Sequence, residues 1–133
     1  MNNKILAIED DPEVLALYKS YLQKRGYEVL SAAGAVEGMS LLQSNPDTRL
    51  ILLDLNLPGM SGIEALKILH DDASTAHIPV VALSANATPA DIEKGLNVGF
   101  YRYLTKPVKI VEFMQTLNAA LDFAKATSPA TTN

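Results

Sequence analysis

Glu9, Asp10 and Asp11 stand directly behind the apolar run 5–8. Asp54 follows the run 50–53, Ser84 follows 79–83, and Lys106 follows 103–105. Carboxylates brought to close range repel strongly, because a crevice screens charge less well than bulk water. They stay ionised together only beside a counter-charge, and hard oxygen donors of this number and type favour Mg²⁺ or the similar Mn²⁺. Lys106 adds a second positive charge. The remaining capacity of such a site suits an oxygen-rich anion, a phosphoryl group, to which the Ser84 hydroxyl can donate. The main-chain carbonyl of Asn56 can be offered to the metal. Each residue alone has a plainer reading. The acidic run suits a helix N-terminus, and Asp54 suits a turn. Ser84 is then a strand-end hydroxyl and Lys106 a solvated loop lysine. Only their combination carries the chemistry.

That combination requires a scaffold delivering these residues to one place. The apolar runs 5–8, 29–32, 50–53, 79–83 and 103–105 are of strand length, and several are apolar at consecutive positions. Unbroken apolarity in a short strand implies burial on both faces, as in a parallel sheet covered by helices. The intervening segments are long enough for crossover helices. In the first, Val14, Leu17, Tyr18, Tyr21 and Leu22 recur at helical spacing and predict a buried stripe. Asp11 is the expected N-cap with Pro12 at the first helical position, and Gly26 the expected stop. A second helix is expected over 35–44, despite Gly38 and a preceding Gly34. Thr88-Pro89-Ala90-Asp91 reads as a capping box for a helix ending at Gly99. Phe113, Leu117, Ala120 and Leu121 mark the last helix. Strand and helix in fivefold alternation predict an α/β domain with a doubly wound parallel sheet. In such a sheet ligands bind beyond the carboxyl ends of the strands, where the polar residues stand.

Composition narrows the classes. A chain of 133 residues with 48% hydrophobic residues has room for one core. It contains no Cys, which excludes a disulfide framework, a Cys-based zinc site and a thiol nucleophile. A net charge of −4 argues against direct nucleic-acid binding. The apolar runs are far too short to span a membrane, and the N-terminus does not read as a secretory signal. The domain is expected over 1–124. Residues 125–133 are expected to form a mobile tail or the start of a linker, being rich in Ala, Thr, Ser and Pro. The Met start favours a free-standing protein over a fragment of a larger regulator.

The stretches ILAIEDD (5–11), LLDLNLPGMSG (52–62), VVALSA (80–85) and YLTKP (103–107) resemble the receiver domain of two-component response regulators. The resemblance covers roughly residues 4–123. It implies a flavodoxin-like sheet with strand order 2-1-3-4-5 and helices on both faces. It implies that Asp54 is the phosphoacceptor and that Asp10 is a direct metal ligand. Glu9 becomes its acidic partner, acting through water, and Asn56 supplies a main-chain carbonyl to Mg²⁺. Ser84 reads the phosphoryl oxygen, Lys106 pairs with the phosphoryl group and the acids, and Tyr103 takes an aromatic switch position. A cis bond is implied at Lys106-Pro107.

The implied function is a cytoplasmic signalling module that accepts a phosphoryl group from phospho-histidine, on a histidine kinase or a histidine phosphotransfer protein. It also implies a changed surface at helix 4, strand 5 and helix 5 for a downstream protein, with homodimerisation on phosphorylation left open. Two alternatives remain: a degenerate receiver serving as a docking module, and an aspartyl-phosphate phosphohydrolase. The second needs an Asp two residues after the nucleophile, where this chain has Asn56. Asn56 and Asn86 are expected to influence water access to the phosphoryl group. His70 and His77 are expected to face solvent. Tyr101 and Arg102 are two exposed side chains or, on the sharper reading, a contact patch for a partner.

Overall fold

The structure, a computed structural model, describes residues 4–57, 59–85 and 88–127. Elements alternate as the sequence predicts: β1 (Lys4–Ile8), α1 (Pro12–Gln23), β2 (Glu28–Ala32), α2 (Ala35–Ser44), β3 (Thr48–Asp54), α3 (Gly62–Asp71), β4 (Val80–Ser84), α4 (Pro89–Val98), β5 (Arg102–Thr105) and α5 (Ile110–Thr127). The sheet has the order β2-β1-β3-β4-β5 with every neighbouring pair parallel, a flavodoxin-like arrangement. The expected domain boundary at 124 falls inside α5. Beyond Thr127, the expected tail lies outside the described residues.

Consecutive apolar residues are explained by two cores, one on each face of the sheet. Leu6, Ile8, Ile51, Leu53, Val80 and Ala82 pack with Leu42, Leu66, Leu69 and Phe100 on the side of α2, α3 and α4. Their strand neighbours Ile5, Ala7, Leu50, Leu52, Val81 and Leu83 pack with Tyr18, Leu22, Phe113 and Leu117 of α1 and α5. Because side chains alternate across a strand, both sets must be apolar.

The helix ends follow local chemistry. Asp11 caps α1 through its side chain, accepting from the amides of Glu13 (2.9 Å) and Val14 (3.4 Å). Gly26 and Gly99 adopt φ of +87° and +122°, which L side chains rarely take. Gly38 does not break α2. A Cβ there would lie 2.6 Å from Ile8 Cδ1, so glycine lets α2 approach β1 closely. The α3 N-terminus carries a complete capping box between Ser61 and Glu64, a signal the sequence reading passes over.

Three expectations need correction. Leu17 is not buried but half-exposed, at the edge of the α1 stripe. His70 and His77 are half-buried, not solvent-facing. The His70 imidazole lies against the turn at Gly99, and His77 Nδ1 is enclosed without a hydrogen-bond partner.

Ser61→Ala is expected to cost about 1 kcal/mol, lowering the unfolding midpoint by about 3–5 °C. A thermal melt of this exposed-cap variant checks the assignment, and an unchanged midpoint contradicts it.

Candidate functional site

Hydrogen bonding carries the sheet ladder into the site. The Glu9 amide donates to the Ala32 carbonyl at 2.9 Å, just past β1. Asp54, the last residue of β3, pairs in register with Leu83, and Leu55 N–H donates to the Leu83 carbonyl at 2.9 Å. Ser84 pairs with Thr105, and the Lys106 amide donates to the Ser84 carbonyl at 2.8 Å. Parallel strands end on the same edge, so register alone gathers residues 9, 54, 84 and 106. The Lys106-Pro107 bond is cis, as the resemblance implies.

One oxygen each from Glu9, Asp10 and Asp54 lies within 4.8 Å of the others. Glu9 and Asp54 are each only 2% exposed, whereas Asp10 faces solvent. Lys106 Nζ bridges the buried pair, 3.2 Å from Glu9 Oε1 and 3.1 Å from Asp54 Oδ2. The other carboxylate oxygens accept from the main chain: Glu9 Oε2 from Asp11 N–H at 3.2 Å, and Asp54 Oδ1 from Asn56 N–H at 2.9 Å. Asp11 is thus a cap and a backbone donor, and stands outside the acidic cluster.

Burial pushes the Glu9 carboxyl from 4.5 up to about 7. Its hydrogen bond with Asp54 and the Asp54 charge add to the rise, while the Asp11 amide and Lys106 oppose it. Burial by itself would lower the Lys106 ammonium. The hydrogen bond and charge of Asp54, with those of Glu9, outweigh that and raise it. Lys106 therefore stays charged, yet one ammonium leaves the cluster with surplus negative charge. At neutral pH, Glu9 partly resolves this by holding a proton. A divalent cation in that proton's place suits the donor set, which is carboxylate oxygen throughout. Glu9, Asp10 and Asp54 are thus a fitting Mg²⁺ site.

Ser84 is buried beside this cluster. Tyr103 is half-buried, its ring against α4. A Cβ on Gly95 would lie 2.6 Å from Tyr103 Cδ2, so the glycine makes room for the ring. Tyr101 is more fixed than two exposed side chains would suggest. Its hydroxyl donates to the Ala119 carbonyl at 3.2 Å, and its ring centroid lies 5.1 Å from that of Phe123. The Arg102 guanidinium sits 4.5 Å over the Tyr101 ring and remains exposed.

Sequence reasoning missed two features. Tyr18 stacks on Phe113 at 5.2 Å, and its hydroxyl is pushed up by burial and by the charges of Glu9 and Asp54. In sequence it reads only as one member of a helical stripe. The Asn56 side chain accepts from Ala85 N–H at 3.0 Å, across 29 residues, which no local pattern announces. Asn86 lies outside the described residues.

A sequence profile described as the response regulator receiver domain matches residues 5–118. The polar-differentiation response regulator DivK of Brucella ovis is 33% identical over 122 residues, covering 91% of this chain and 98% of its own. Among solved structures, the chemotaxis protein CheY4 of Vibrio cholerae superposes with a TM-score of 0.83 at 28% identity, covering 91% of this chain and all of its own. A CheY-like receiver protein from Methanospirillum hungatei gives 0.83 at 29% identity, covering 95% and 98%.

The raised Glu9 carboxyl has two consequences for pH. Between about 4.5 and 7 the folded, metal-free protein holds a proton that the unfolded chain has released. Its stability should therefore fall as pH rises through that window, by on the order of 2 kcal/mol from this group. Mg²⁺ must displace the same proton, so its affinity should rise with pH and level off above about 7. Melts in chelator and Mg²⁺ titrations at pH 5.5 and 8 test both. Glu9→Gln should abolish this part of the pH dependence, and a variant profile identical to wild type would contradict it.

Proposed function

This chain belongs to the response regulator receiver domain family, and from that membership we propose how its own residues perform the family's phosphotransfer. A receiver is a phosphoacceptor that promotes its own phosphorylation and dephosphorylation, not a turnover enzyme. Its phosphoryl group comes from a histidine kinase or a histidine phosphotransfer protein.

In our reading Asp54 is the nucleophile. One of its oxygens forms the new O–P bond as the N–P bond to the donor imidazole breaks. The bonding electron pair stays on the imidazole nitrogen. Glu9, Asp10 and Asp54, with the main-chain carbonyl of Asn56, would hold Mg²⁺. When bound, the ion offsets negative charge on the phosphoryl oxygens. Lys106, already 3.1 Å from Asp54, follows the phosphoryl charge and pulls against the ground-state carboxylate less as that charge grows. Ser84 donates its hydroxyl to a phosphoryl oxygen. The observation that carries this reading is the Lys106 ammonium shared between two buried carboxylates, with a third within 4.8 Å.

The donor must reach a buried carboxylate from the strand-end surface. Beside Lys106, a groove of about 360 Å³ lined by Val14, Leu17, Tyr18, Tyr21, Val108 and Ile110 offers apolar footing between α1 and the start of α5. Exposure of Leu17, the sequence reading's misfit, belongs to this groove. The signal leaves by another route. Phosphorylation adds about −1.5 to −2 charge and fresh acceptor oxygens at Asp54. Ser84 moves toward them, and Tyr103 shifts from its seat over Gly95, altering the surface of α4, β5 and α5. Tyr101, Arg102 and Phe123 lie on that surface and form the patch a downstream protein reads. We place the protein in the cytoplasm, where its kinases act. Among the described residues no helix is long and apolar enough to cross a membrane.

Incubation with acetyl phosphate and Mg²⁺ should add one phosphoryl group by intact mass, labile to hydroxylamine. Chelator should abolish the addition, as should Asp54→Asn. Lys106→Ala should slow it by about 10²-fold or more. Label that persists at full stoichiometry in Asp54→Asn would defeat the assignment.

A further inference from the structure

The Asn56 side chain joins two loops that the phosphotransfer reading treats separately. Its main-chain N–H donates to Asp54 Oδ1 at 2.9 Å, and its side-chain Oδ1 accepts from Ala85 N–H at 3.0 Å. Ala85 directly follows Ser84 at the end of β4. One residue is therefore bonded at its backbone to the phosphoacceptor carboxylate, and at its side chain to the loop carrying the hydroxyl that must move. The bond spans 29 residues and ties the chain after β3 to the chain after β4. The neighbouring backbone bonds, Leu55 N–H to Leu83 O and Lys106 N–H to Ser84 O, fix the strand ends but stop short of Ala85. At Ala85 the Asn56 side-chain oxygen takes up the backbone donor.

We propose that Asn56 is a positioning residue that latches the β4–α4 loop to the phosphoacceptor loop in the resting state, setting how readily Ser84 moves. Its side-chain oxygen occupies the Ala85 N–H. Any displacement of Ser84 toward a phosphoryl group on Asp54 drags Ala85 and strains or breaks that bond. A single neutral side-chain hydrogen bond in a solvent-exposed setting biases the loop without locking it. The polarity of the bond matters: an acceptor is required at position 56, because the partner is a backbone donor. The latch concerns the resting chain. Only its consequence for the switch rests on the phosphoacceptor reading above.

Amide hydrogen exchange followed by NMR on the full, unphosphorylated chain tests the latch directly. In Asn56→Leu, which preserves bulk without an acceptor, the Ala85 amide should exchange roughly 2- to 10-fold faster than in wild type. Asn56→Asp, which keeps an oxygen in place, should restore protection. General loosening of the fold would not separate these two variants, and amides of the β3 and β4 interior report on it. Equal Ala85 exchange in wild type and Asn56→Leu would overturn the latch, as would a failure of Asn56→Asp to differ from Asn56→Leu. In the same samples, acetyl phosphate and Mg²⁺ should shift the Ser84 and Ala85 resonances to the phosphorylated positions. At equal phosphorylated fraction, Asn56→Leu should show the switched positions more fully populated than wild type. Altered exchange with an unaltered switch response would overturn the coupling while leaving the latch. A wild-type protein that never takes up phosphoryl groups would instead overturn the phosphoacceptor reading, and the exchange data would stand independently of it.

Discussion

Two carboxylates, each almost wholly withdrawn from water, face each other at the end of a parallel sheet with one ammonium between them. Such an arrangement is costly unless the charges are paired and hydrogen-bonded. The Glu9 and Asp54 oxygens meet this condition through Lys106 and through the amides of Asp11 and Asn56. Even so, burial, together with the hydrogen bond and charge of Asp54, pushes the Glu9 carboxyl up to about 7. A site with surplus negative charge, hard oxygen donors and a partly exposed lysine at its edge is prepared for a divalent ion and then for a phosphoryl group. The rest of the fold serves to hold these charges against their mutual repulsion.

The sheet supplies the necessary rigidity. Strand interiors such as Leu50 to Leu53 are at most 1% exposed and alternate between two cores. Sliding any strand by one residue would send its buried side chains to the opposite face. The register that places Asp54 opposite Leu83, and Ser84 opposite Thr105, is therefore enforced along the whole strand. The site inherits its geometry from the packing beneath it.

In the proposed switch, coupling between chemistry and surface would pass through small residues and single bonds. Gly95 gives the Tyr103 ring a place against α4, where any larger residue would collide with it. Asn56 ties the start of the β4–α4 loop to the loop after the phosphoacceptor. Tyr101, pinned to α5 by its hydroxyl, holds Arg102 over its ring on the outer face of β5.

Much of this was legible in the primary structure because it depends on local chemistry or on period. The apolar runs foretold five strands, of which β1, β3 and β4 are buried and the edge strands β2 and β5 only partly; Asp11-Pro12 foretold the start of α1, and Gly99 the end of α4. Strand-end polar residues foretold where the site lies, since parallel strands deliver their last residues to one edge. The burial of Glu9 and its raised carboxyl were not legible, because they depend on what surrounds the residue. Nor was the exposure of Leu17, which lies at the edge of a helical stripe whose members Tyr18 and Leu22 are buried. His70 and His77 misled because a polar flanking sequence says nothing about the turn or helix folded against it. The bond from Asn56 to Ala85 joins residues that only the pairing of β3 with β4 makes neighbours. Sequence by itself determined which elements form and which chemical groups they carry to the sheet edge. Tertiary structure decided which of those groups touch, which lose their water and which remain free to move, because desolvation and contact are properties of the packed chain.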